Sequence, residues 1–183
     1  MIKIDLYDTF DVINASDDLK SFSFNSELKD DTSLKLHVKL SEHPDPFLPN
    51  VFNLAFGPTG KDNIIDDTIV VGHKNLSKVF STILFCAITF LKYNRDNQYY
   101  IGMEGSDERR AYLYDRMFRY NNAALSDNIV TIGVDWYVKL LRDGTDIERD
   151  KGGLPFFKPI LEPFDLRKNP RELYRYYLFS LHN

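Results

Sequence analysis

YIGMEGSDERRAYLYDRM runs from Tyr100 to Met117, and the way it divides decides the fold. Its first residues are apolar and β-prone. A Gly105-Ser106 pair follows, and beyond it Arg, Tyr, Leu and Met recur at helical spacing. The reading is a strand over residues 99–103, a turn, and a helix over 107–120. Such a junction gathers free backbone N–H groups and the positive end of the helix dipole at one spot. With Ser106 as N-cap, Ser106, Arg110 and Tyr114 fall at i, i+4 and i+8 along one side of the helix. Gly105, Ser106 and Arg110 can then grip a small anion, with Tyr114 deeper as a proton or hydrogen-bond donor. The competing reading is a capped amphipathic helix with solvated arginines and packed tyrosines. Asp107 and Glu108 also bring their own negative charge to that helix end.

Working outward, Leu76, Val79, Phe80, Ile83, Leu84, Ala87, Ile88 and Leu91 keep helical spacing behind Asn75, a suitable N-cap. This predicts a buried helix preceded by a short strand at residues 68–71. Gly72, His73, Lys74 and Asn75 form a second strand-to-helix junction able to meet a phosphate, although only one glycine is present. Residues 34–40 alternate strictly between leucine or valine and polar side chains, which is the pattern of a half-buried strand. Further strands are expected at 51–57 and 128–141. Near the end, Asn169, Pro170 and Glu172 suit the N-cap, first and third positions of a helix. A short C-terminal helix over 170–181 is predicted, burying Leu173, Tyr176 and Tyr177. The sum is a single α+β domain, 1–183, with a mixed twisted sheet, two main helices and that terminal helix.

Composition narrows the function. A length of 183 residues supports a sizeable core without metals or disulfides. A net charge of −4 argues against general nucleic-acid binding. Cys86 is the one cysteine, so no intrachain disulfide forms. The first residues lack a signal-peptide pattern, and the apolar run 83–91 is too short to span a bilayer, so a cytoplasmic protein without membrane contact is expected. His37, His43, His73 and His182 show no metal-ligand spacing, and no nucleophile pattern appears. The aromatic tail LYRYYLFSLHN suits either closure of a sheet face or a contact with a partner, including a homodimer.

Two resemblances add to this. Asn53-Leu54-Ala55-Phe56-Gly57, the buried helix from Lys78-Val79, and Gly105-Ser106 with Arg110 and Leu113-Tyr114 resemble a family of small uncharacterised bacterial proteins. That likeness supports the positions without naming a reaction. The order strand, helix from Asn75, strand, then a helix with Leu113-Tyr114 also resembles the second half of GCN5-related N-acetyltransferases. It implies an acetyl-CoA pyrophosphate at Gly72, His73, Lys74 and Asn75, and Tyr114 as the acid for the departing thiolate. The glycine-rich Gln/Arg-x-x-Gly-x-Gly/Ala loop of that superfamily is missing here, and Asp107 stands where its helix asparagine is usual. Three functions follow as expectations: an anion-binding or accessory protein, an atypical acyl-CoA-dependent N-acyltransferase, and an interaction module using the aromatic C-terminal helix.

Overall fold

Strict alternation makes the long strands, and apolar stripes at helical spacing make the two helices that cover them. The structure, a computed structural model, describes residues 1–60, 64–66, 72–105, 107–142, 144–169 and 172–182. Its strands are β1 (Val12–Ala15), β2 (Ser21–Glu27), β3 (Ser33–Glu42), β4 (Val51–Gly57), β5 (Tyr100–Glu104), β6 (Ile129–Val138), β7 (Phe157–Pro163) and β8 (Tyr176–Leu181). The helices are α1 (Leu76–Tyr93) and α2 (Glu108–Leu125). This is an α+β protein with one mixed sheet in the order β1-β2-β3-β4-β5-β8-β6-β7. Among the described residues only β4 and β5 pair in parallel; the remaining ladders are antiparallel. The strand expected at residues 68–71 lies outside the described residues.

One face of the sheet carries Phe22, Phe24, Leu36, Val38, Leu40, Phe52, Ile101, Met103, Tyr177 and Phe179, packed in one cluster with both helices. The helices meet through Phe80 and Tyr114, whose ring centroids lie 6.4 Å apart. Helix α1 is long and apolar enough to cross a bilayer by composition, yet 61% of it is buried here, as in a core helix. The segment before β1 straps the helix layer. Asn121, buried on α2, accepts from Ile4 N–H at 2.8 Å and donates to the carbonyls of Ile2 at 3.0 Å and Met117 at 2.8 Å. The opposite sheet face is covered more thinly, by Leu48 over Val51, Val134, Tyr176 and Leu178.

The expected C-terminal helix over 170–181 is corrected: residues Tyr176–Leu181 form β8, between β5 and β6. Asn169 C=O accepts from Glu172 N–H at 2.8 Å. Local capping residues lose to burial on both sides. Tyr177 and Phe179 enter the helix-covered core while Tyr176 and Leu178 fill the other face. An aromatic strand hydrogen-bonded to two neighbours satisfies its backbone and its rings at once. The interaction reading built on an aromatic terminal helix loses its helix.

Two outcomes test this packing. Asn121→Ala leaves buried Ile4 N–H without its acceptor, so the urea midpoint should fall by the equivalent of about 1–3 kcal/mol. A loss near zero would show that the strap is not anchored there. Burial also pushes the Cys86 thiol up to about 12 and raises the Tyr176 and Tyr177 phenols. The unfolded chain releases these protons near pH 8.5 and 10, where the folded chain keeps them. Stability from these groups is therefore complete below about pH 8 and falls as pH climbs toward 12. Urea midpoints at pH 8 and 10.5 should show the decline; equal midpoints would contradict it.

Candidate functional site

The parallel ladder pairs Val51 with Tyr100, Phe52 with Ile101 and Asn53 with Gly102, and stops there. Both strands continue, β4 to Gly57 and β5 to Glu104. Tyr100 N–H donates to Asn50 C=O at 2.9 Å, so even-numbered residues of the two strands aim their peptide groups at one another. Past the last pair, the same alternation points Leu54 C=O, Glu104 N–H and Phe56 N–H into the space between the strands, where no strand pairing continues among the described residues. A cleft of about 260 Å³ opens in it, walled by Leu54, Phe56, Phe80, Leu113 and Tyr114, with Asn53, Ala55, Gly102, Glu104 and Arg110 as its other lining.

Tyr176 closes the paired end. Its ring lies across Gly102, and its hydroxyl donates to Asn53 Oδ1 in a short hydrogen bond. A Cβ on Gly102 would stand 1.9 Å from the Tyr176 hydroxyl, so only glycine lets the ring pass. Burial, and then the Glu104 carboxylate opposite, push the Tyr176 phenol well above its ordinary range. His43 meets Tyr176 edge-on at 5.4 Å. Its Nδ1 accepts from Asp45 N–H at 3.0 Å, which places the proton of the neutral ring on Nε2. Burial lowers the His43 pKa against the opposite pull of Asp45 and Glu104.

The residues expected from the sequence separate into two places. Arg110 and Tyr114 both line the cleft, and Tyr114 is buried. Gly105 serves packing: a Cβ there would come 2.5 Å from Ala111 Cα, where α2 crosses the strand end. Ser106 lies outside the described residues. The N-cap of α2 is Asp107, a correction to the expected Ser106; its carboxylate accepts from Arg110 N–H at 2.8 Å and lies 3.8 Å from Arg110 Nε. The helix start expected to receive an anion thus holds the chain's own carboxylate, which suits the dipole equally well.

Gly72, His73, Lys74 and Asn75 do not reach this cleft. Gly72 C=O accepts from Lys29 N–H at 2.9 Å, and Lys74 N–H donates to Glu27 C=O at 2.9 Å. Lys74 Nζ pairs with Asp31 at 3.1 Å and Glu27 at 3.7 Å, and His73 Nδ1 lies 2.8 Å from Ser26 Oγ. Asn75 caps α1, accepting from Lys78 N–H at 2.9 Å, as its place before the apolar stripe implies. Among the described residues no group of His, Cys, Asp and Glu is arranged to hold a metal. Sequence reasoning missed Asn53, Glu104 and Tyr176. Gly102, a glycine inside an apolar strand, was the one local sign of a close approach there.

The chain belongs to a family of unknown function, DUF6934, whose model matches residues 6–142. That span contains β4, both helices and β5, hence every cleft-lining residue, while Tyr176 lies beyond it. No curated protein and no solved structure matches the chain.

Gly102→Ala should force Tyr176 off the strand, lowering stability by about 1–3 kcal/mol through overpacking. Tyr176→Phe keeps the ring and loses only the bond to Asn53, for about 1 kcal/mol. Denaturant midpoints check the order. A Gly102→Ala protein as stable as the parent would refute the crossing.

Proposed function

We propose that the protein binds an elongated small ligand between β4 and β5, one that carries amide groups and an anionic end. The observation that supports this is the parallel ladder ending at Asn53 and Gly102 while both strands run on beside an open cleft. Peptide groups at Leu54, Phe56 and Glu104 offer a ligand amide the same bonds that a neighbouring strand would give. Apolar walls from Phe56, Phe80 and Leu113 take the ligand's body. Arg110 supplies the cation, exchanging a 3.8 Å contact with Asp107 for a charge-assisted bond to the ligand. Crevices beyond the carboxyl ends of parallel strands are favoured ligand positions for the same reason: the sheet leaves backbone groups unpaired there.

A second reading, acyl-CoA-dependent N-acyl transfer, is favoured by Tyr114 on the cleft wall and by the amide-bearing arm such a thioester carries. In that reaction an amine nitrogen attacks the thioester carbonyl, the carbon–sulfur bond breaks, the leaving thiolate takes the Tyr114 phenol proton, and the proton shed by the acylated nitrogen passes through water to restore the phenol. Cleft binding is common to both readings; turnover belongs to the second alone.

Thermal shifts test the shared binding, and a turnover assay separates the two readings. An N-acetylated dipeptide and phosphopantetheine should stabilise the protein, and a ligand at 100 times its Kd adds about 2.7 kcal/mol. Hexanoate, anionic but without amides, should shift it far less. Ala55→Trp, which fills the cleft from an exposed lining position, should abolish the shifts, and Arg110→Gln should weaken them. Shifts that survive Ala55→Trp would place the ligand elsewhere. Thiol release from acetyl-CoA with amine acceptors, lost in Tyr114→Phe while binding persists, would select the second reading.

A further inference from the structure

A second groove, about 560 Å³, lies between the start of α1 and the outer side of α2. Its floor includes Leu113 and Met117, and its rim carries Lys74, Arg109 and Arg116 with Tyr112 and Tyr120. Among the described residues no carboxylate lines it, in a chain whose net charge is −4. Arg116 is bracketed one turn to either side: it donates to the Tyr112 hydroxyl at 2.9 Å and to the Tyr120 hydroxyl at 3.0 Å. Its guanidinium also lies 5.3 and 5.0 Å from the two ring centroids. The phenols orient the guanidinium, and two of its five N–H donors are thereby used. Both rings remain about half exposed, Tyr112 at 44% and Tyr120 at 50%. Among the described residues Arg109 makes no ion pair, whereas Lys74 is held by Asp31 and Glu27 and counts for less.

An oriented guanidinium, a second arginine, half-exposed tyrosine rings and a lining without carboxylates among the described residues together fit one ligand chemistry. Arginine forks match phosphate oxygens, and tyrosine faces stack on a planar base. The volume lies within the range of small-ligand sites. We infer that this groove binds the phosphates and base of a nucleotide, through Arg109 and Arg116 and through Tyr112 and Tyr120. The inference stands apart from the β4/β5 reading, since among the described residues Leu113 alone lines both places.

Calorimetric titration of the full chain at low salt with ADP, adenosine, pyrophosphate and coenzyme A tests it. ADP should bind about tenfold or more tightly than adenosine or pyrophosphate, because it engages charge and rings together. Arg109→Gln and Arg116→Gln should each weaken ADP by about tenfold. Arg116→Lys should not restore binding, because an ammonium lacks the planar fork. Tyr112→Ala should weaken ADP while leaving pyrophosphate unchanged. These residues are surface-exposed or line the open groove, and unaltered melting of the variants confirms that they fold. Coenzyme A binding more tightly than ADP, with only that surplus lost in Ala55→Trp, assigns the nucleotide to a coenzyme reaching the β4/β5 cleft. Equal affinities assign a free nucleotide, and both results uphold the inference. Pyrophosphate binding as well as ADP, ADP binding insensitive to the arginine variants, or no ADP binding at millimolar concentration would overturn it.

Discussion

Everything in the middle of this molecule follows from one short parallel pairing. β4 and β5 are joined through α1, so the connection must cross over the sheet, and the helix that makes the crossing becomes the core. Phe80, Ile83, Leu84, Ala87 and Phe90 on α1 are essentially buried, and their side chains hold the two strands at a fixed spacing. Where Phe52 stacks edge-on with Phe90 at 4.9 Å, the strands pair. Beyond Asn53, Leu54 and Phe56 turn toward α1 and α2, and the strands no longer share hydrogen bonds. A parallel pair that stops early leaves peptide groups inside the sheet without a strand partner among the described residues, and such groups seek one.

Rings keep that gap from collapsing. Phe56 packs edge-on against Phe80 at 5.5 Å, and Phe80 against Tyr114, so one wall is a continuous aromatic layer. On the other side Tyr176 lies over Gly102 and ties itself to Asn53. Tyr177, its neighbour in β8, points the opposite way and donates to Ala111 C=O on α2 at 3.2 Å. Two adjacent tyrosines of β8 therefore brace the cleft from both faces of the sheet. Binding at such a site requires little reorganisation, because the packing that holds it open is also the packing that stabilises the fold.

Sequence patterns reached the parts that obey a local period. β3 and β6 alternate, the stripes of α1 and α2 repeat at helical spacing, and β4 occupies the residues expected of it. β8 was unreadable as a strand because a strand buried on both faces has no alternation to detect, while a strong capping signature stood just before it. β7 hid behind Pro159 and Pro163, which an outermost strand tolerates. β2 carries its apolar period on two phenylalanines among serines and is legible only once paired with β3. Of the cleft, Arg110 and Tyr114 announced themselves by lying on one helix side. Asn53, Glu104 and Tyr176 come from three distant strands, and no local pattern links them.

Amide hydrogen exchange in the ligand-free protein tests the central claim most directly, because it reads the ladder bond by bond. Phe52 and Gly102 donate within the parallel pairing and should exchange slowly, with protection close to that of the core. Phe56 and Glu104 face the gap and should exchange orders of magnitude faster, although both lie within regular strands. Uniformly slow exchange at all four amides would mean that β4 and β5 are zipped to their ends, and that no cleft exists.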